Sequence, residues 1–465
     1  MTSKRFGVEE VVVHVAIKVV AVVSVVTATV AAGGEAAASE GSRADRSRYH
    51  EPDHEVWLVD QSNSPGLAFG GTLYIYSGRD LQRDAAAPPL ERVDLGAGTT
   101  DLCVAETGAQ PVRPHMLTFS PRNSHAILTF VVSGHVVFFD ADSRQPLRCL
   151  RTEPGAGGAR QAHAAYPSPD GRYVLVANQN GKKLERIATN YRNNTFIQQP
   201  EATLDLANGT TPNGALREDP VLRPDNAPIC PFVPDSGFPA YVSLRGGGLF
   251  AIDPYATPMA IVAEYTGTAV PRNGCGFIEA RGWVYANAGG ATAAHMDGWF
   301  LYRLPVGGRR TYKSTNPPDV PAVEPIAADD SPHRDAHGIA ISQHAEYVWF
   351  FDRAGNQVEI YKARTGRAMG VVRLESAHSA DPTPDLAVTS PDGRYMYVSL
   401  RGPNPLSGDP HASTGSTPGL MVIRVRADGR TGTVRGLAPI TNIDAGGVER
   451  ADAHGIAIRP LGRSK

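Results

Sequence analysis

Seven positions along the chain share one local setting, the start of an apolar strand about five residues ahead of a turn, and all seven carry side chains that can ligate a transition metal. In chain order they are His115, His163, Cys230, Cys275, His337, Asp385 and His454. Four of the 14 histidines and two of the 4 cysteines fall on this frame, a concentration that scattered structural residues do not give. Imidazole together with thiolate favours copper, zinc or iron over calcium or magnesium, which take oxygen ligands. Copper is the first expectation, with iron or zinc as alternatives. Asp385 is expected to ligate, to orient an imidazole or to move protons in catalysis. Asp335 and Asp452, two residues ahead of their histidines, are candidates for the layer behind the ligands. Two plainer readings stand beside this one. One is a metal-free ring that holds ordered water, and the other a Cys230–Cys275 disulfide in place of ligation. Cys103 and Cys149 lie off the frame, where a structural disulfide is their expected use.

The elements that must position these residues are legible as repeats. Ser168-Pro-Asp-Gly-Arg-Tyr-Val-Leu-Val-Ala and Ser390-Pro-Asp-Gly-Arg-Tyr-Met-Tyr-Val-Ser are near-copies, as are Asp335-Ala-His-Gly-Ile-Ala-Ile and Asp452-Ala-His-Gly-Ile-Ala-Ile. A Pro-Asp-Gly turn between two alternating strands is hairpin chemistry, with glycine taking the positive φ. Intervals of 48, 67, 45, 62, 48 and 69 residues separate the seven frame positions, which suits four-stranded blades with insertions near 180–229, 291–335 and 401–450. The last frame leaves its blade with one strand only. Glu55–Asn63, Gly71–Gly78 and Leu90–Gly96 match the strands that follow His337, so the N-terminal strands are expected to complete that blade and close the ring. The fold expected is all-β, a seven-bladed β-propeller over 55–465, with the frame residues around the channel. His454, His115 and His163 would face His337 across it.

The hairpin segments resemble the YVTN-type repeat of bacterial surface and periplasmic propellers, which implies the propeller and no particular chemistry. At the level of architecture the histidine ring is similar to two metal-binding propellers, nitrous-oxide reductase with its copper cluster and the carotenoid oxygenases with their iron.

Composition limits the function classes. Glycine (48) and proline (37) are abundant and the net charge is −2 with scattered charges, which removes the basic footprint of a nucleic-acid binder. No dinucleotide, phosphate-loop, Gly-x-Ser-x-Gly or Cys-x-x-Cys-His motif occurs. Lys4 and Arg5, an apolar run from Val19 to Ala32 and small residues to Ser39 have the order of a cleaved secretory signal. Residues 1–39 are therefore expected as signal peptide and 40–54 as a polar leader. The mature protein would be periplasmic or secreted, without stable membrane insertion. The first functional expectation is a copper- or iron-dependent oxidoreductase acting on a small substrate. The alternatives are a non-catalytic scaffold binding protein or carbohydrate, and a metal-assisted, lactonase-like hydrolase.

Overall fold

The computed structural model describes residues 53–207, 226–271, 274–289, 298–308, 311–312, 317–323, 325–329, 331, 334–406 and 414–462. The expected signal peptide and most of the polar leader lie outside these residues, as do Arg272, His295, His333 and His411. Among the described residues the strands form seven antiparallel sheets. Blade 1 joins the chain ends: Ala453–Pro460 is innermost, followed outward by His54–Asp60, Thr72–Ser77 and Glu91–Asp94. The innermost strands of blades 2 to 7 are Pro114–Phe119, Ala162–Pro167, Pro228–Phe232, Phe277–Ala280, Ala336–Ile341 and Pro384–Thr389. The fold is a seven-bladed β-propeller. His54 pairs with Pro460 and Trp57 with Ala457, so the ring is closed by the N-terminal strands as the strand complementarity implied.

Each blade packs on the next through an apolar layer. Val56 and Tyr74 of blade 1 meet Tyr397 and Val422 of blade 7, and the other interfaces repeat the arrangement down to Trp349 and Ile360 against Met396 and Met421. Burial of such side chains is worth about 1.5–3 kcal/mol each relative to exposure, and it is distributed around the circle.

The repeated turn is held by its serine. Ser168 Oγ accepts from the Tyr173 amide, Ser390 Oγ from Tyr395 and Ser342 Oγ from Tyr347, at 3.0 to 3.2 Å. Gly171 and Gly393 take positive φ in these turns, and Asn123 fills the same place in blade 2. Two helices were not expected, the short Gly78–Arg83 and the longer Leu95–Thr107; the longer one is the harder to read. Its two glycines and two adjacent threonines hide it from pattern reading. Asp94 caps its first turn, and a Cys103–Cys149 disulfide ties it to the outer strand of blade 2.

Neighbouring inner strands approach so closely that the residue after each histidine matters. A Cβ at Gly455 would strike the His115 carbonyl, and one at Gly338 the Asp385 carbonyl. The His-Gly pairs of the repeat therefore serve packing as well as chemistry. Gly455→Ala is expected to cost about 1–3 kcal/mol by overpacking, read as a lowered urea midpoint. A midpoint equal to wild type would show that the strands can move apart.

Candidate functional site: the histidine arc at the channel

The frame residues reach the channel through a β-bulge. In blade 2 the pair Pro114/Phe130 is followed by Leu117/Leu128, so the ladder gains a residue at His115. The same shift falls at His163, His337, Asp385 and His454. A bulge of this kind turns the extra side chain out of the pleat, here towards the axis. Blade 4 corrects the sequence frame. Its bulge lies between Pro228 and Pro231, and the amide of Cys230 bonds Ser243 Oγ as those of Met116 and Leu386 bond Thr129 and Ser399. Those partners follow the ring residue, so the ring position in blade 4 belongs to Ile229. The frame slipped because the turn begins at Pro234, which accepts from the Gly237 amide, and not at Asp235.

The imidazoles do converge, as an arc instead of four facing points. Ring centroids of His337 and His454 are 5.5 Å apart, those of His454 and His115 stack at 3.9 Å, and His115 meets His163 edge-on at 4.7 Å. His337 thus sits beside His454, not across from it. Asp385 lies between them, as expected, with Oδ2 accepting from His454 Nδ1 at 2.5 Å and Oδ1 3.2 Å from His337 Nε2. Cys230 and Cys275 are bonded to each other, their Cα atoms 5.1 Å apart. In this state neither sulfur is a thiolate ligand, which corrects the mixed imidazole and thiolate set expected from the sequence.

Three residues that set the chemistry were missed: Gln61, Arg353 and Arg401. Each follows the second strand of its blade, in the segments Val59-Asp-Gln, Phe351-Asp-Arg and Ser399-Leu-Arg. Tracking that column through the repeat would have found them. They form a buried chain with the aspartates. Arg353 donates to both oxygens of Asp335 and to Asp385 at 3.2 Å. Arg401 lies 3.5 Å from Asp385 and donates twice to Asp452, at 2.6 and 2.8 Å. Asp452 accepts from Gln61 Nε2 at 2.8 Å. That bond fixes the amide, so Gln61 Oε1 must face His115 Nδ1, 2.9 Å away.

The consequence is a pair of assigned tautomers. Gln61 Oε1 only accepts, so His115 carries its proton on Nδ1. Asp385 is ionised and likewise accepts a hydrogen bond from the Nδ1–H of His454. Both rings then present a bare Nε2, and neither atom has a hydrogen-bond partner among the described residues although both are buried. Burial opposes the charge of Asp385, but His454, His337 and Arg401 outweigh it and hold the carboxyl well below its usual range. Burial, then the neighbouring imidazoles of His454 and His163, pushes His115 well below the ordinary imidazole value, and burial with Arg353 does the same to His337.

This arrangement can take a proton from a water, or offer nitrogen lone pairs to a metal. One nitrogen or oxygen each from His337, Asp385 and His454 lie within 4.8 Å of one another. A hollow of about 530 Å³ lined by Ile278, Ile341, Val388 and Ile458 lies at the other ends of the inner strands, away from this chemistry.

No family model matches the sequence, and no curated protein matches it, so the YVTN-type repeat stands as a resemblance. Solved structures do match. A putative 6-phosphogluconolactonase from Bacteroides uniformis aligns with TM-score 0.55 and 13% identity over 88% of this chain and 100% of its own. One from Bacteroides fragilis gives 0.53 and 13% over 89% and 99%. The periplasmic gluconolactonase of Pseudomonas aeruginosa gives 0.54 and 12% over 88% and 100%. What is shared is the fold.

His115 and His337 are neutral in the folded protein below pH 6.5, where the unfolded chain takes up protons. Their contribution to stability is present above about pH 6.5 and is lost as pH falls. Asp60 and Asp335, each pushed up to about 6 mainly by burial, act oppositely between about pH 4 and 6. The thermal midpoint of wild type is therefore expected to fall relative to a His115→Gln/His337→Gln variant as pH goes from 7.5 to 5. A pH-independent difference would contradict buried neutral imidazoles.

Proposed function

We propose that the channel mouth hydrolyses a small cyclic ester, with His454 as general base and Asp385 as the group that orients it. The observation that carries this reading is the Asp385–His454 bond with its bare, buried Nε2. His454 Nε2 takes a proton from a water, whose oxygen attacks the lactone carbonyl. Asp385 stabilises the imidazolium through Nδ1, and the opening ring oxygen recovers the proton to leave a hydroxy acid. His115, stacked on His454 with a second bare Nε2, suits the other hydrogen of that water. Arg113, two residues ahead of His115, has a left-handed backbone and a buried Nε without a hydrogen-bond partner; it offers charge to an acidic substituent on the substrate. The lactonase names of three fold neighbours agree with this reading but carry the fold only. The two disulfides support work in an oxidising compartment, periplasmic or secreted.

A second reading is favoured by the free nitrogens: a transition metal, copper before iron or zinc, on His337, His454 and His115 with Asp385 behind them, serving oxidation of a small substrate. It ranks lower because Arg353 and Arg401 already place two positive charges against Asp385, which disfavours a cation beside it.

The test is hydrolysis of five- and six-membered lactones, with and without an acidic group, followed by proton release. Turnover is expected in metal-free protein, with a loss of roughly 100- to 10,000-fold in His454→Gln and a raised KM for acidic lactones in Arg113→Gln. Wild-type rates in His454→Gln would overturn the proposal. Activity that follows bound copper or iron would favour the second reading, and neither turnover nor metal would return a silent scaffold.

A further inference from the structure

The two disulfides sit in unlike surroundings. Cys103–Cys149 is packed among Leu95, Val137 and other apolar side chains beneath a helix, as a structural cross-link would be. Cys230–Cys275 lies at the channel between blades 4 and 5, and Cys230 Sγ is 3.7 Å from His163 Nδ1. One donor atom from each of His163, Cys230 and Cys275 falls within 4.8 Å of the others, and all three residues are buried. Met116, a thioether, packs in the same cluster with Ala164 and Ile229.

We propose that this disulfide is the closed form of a soft-metal site, opened by a small dithiol and completed by His163. It goes beyond the hydrolase reading and does not depend on it. The dithiol gives two electrons and two protons to the pair, leaving as a cyclic disulfide and producing two thiols. A divalent ion then binds both sulfurs and His163 with release of two protons. Charge selects the ion class. Two thiolates and a neutral imidazole around a divalent ion sum to zero, the total that an apolar cluster accommodates at least cost, whereas a monovalent ion would leave a buried negative charge. Zinc fits on ligand type and charge, with a fourth position for water or Met116. Exchange with a small disulfide, whose two sulfurs leave as thiolates, re-forms Cys230–Cys275 and expels the ion. The imidazoles of His337, His454 and His115, which adjoin His163 through His115, offer no sulfur, so the two sets differ spectroscopically.

The experiment uses cobalt(II) as a coloured stand-in for zinc. The full chain is prepared oxidised and, in parallel, reduced with dithiothreitol and desalted without oxygen, and both are titrated. The reduced protein is expected to take up one more equivalent than the oxidised one, with near-ultraviolet sulfur-to-cobalt charge-transfer bands that zinc bleaches. The bands should vanish in Cys230→Ser/Cys275→Ser, whose other cysteine pair is intact. In His163→Ala, which keeps the cysteines and guards against a folding artefact, affinity should fall at least tenfold. Absence of the bands in reduced wild type, or their persistence in the serine variant, overturns the site. Lactone turnover by the oxidised preparation is measured alongside, and its presence or absence bears on the hydrolase reading alone.

Discussion

An antiparallel ladder that carries one extra residue on one strand cannot keep that residue in the pleat, and six inner strands of this propeller exploit the constraint at one height. The bulges at His115, His163, Ile229, His337, Asp385 and His454 aim consecutive side chains at the axis. Everything at the channel follows from that turn. The approach of neighbouring inner strands is then limited by backbone carbonyls, which is why glycine follows His337 and His454. Stacking of His115 on His454 is the outcome of two bulges on adjacent strands.

Convergence alone would give an electrostatically poor site, with several polar rings and a carboxylate removed from water. The compensation is the chain from Asp335 through Arg353, Asp385, Arg401 and Asp452 to Gln61. Breaking one member of such a buried network typically costs about 3–5 kcal/mol, so it acts as a unit. Its chemical effect is specific. By presenting only acceptors to the Nδ1 atoms of His115 and His454, it leaves their Nε2 atoms as bases. Residues that never reach the arc thus decide where the protons of these imidazoles sit.

Legibility in the sequence followed physical locality. The Ser-Pro-Asp-Gly turns need a serine acceptor and a positive φ at fixed offsets, so their repeats stood out, and with them the blades and the closing strands. His337 and His454 were legible through the repeated His-Gly pair, which close strand packing enforces, and His115 and His163 through their offset from the turn. Cys230 was misplaced by one residue because Pro234-Asp-Ser-Gly replaces the usual turn, and a count along the chain cannot see a bulge. Gln61, Arg353 and Arg401 belong to a second column that also holds Val131 in blade 2, and the partners that link them into a chain, Asp385 and Asp452, lie on neighbouring blades. The helix Leu95–Thr107 draws on a cap, a disulfide and packing more than on its own propensity.

The strand Ala453–Pro460 has two duties, closing the circle against His54–Asp60 and delivering His454 to the arc. Without this strand blade 1 would present an open sheet edge and the arc would lack its His454 imidazole. Sealing of the circle and delivery of the His454 imidazole to the arc therefore stand or fall together.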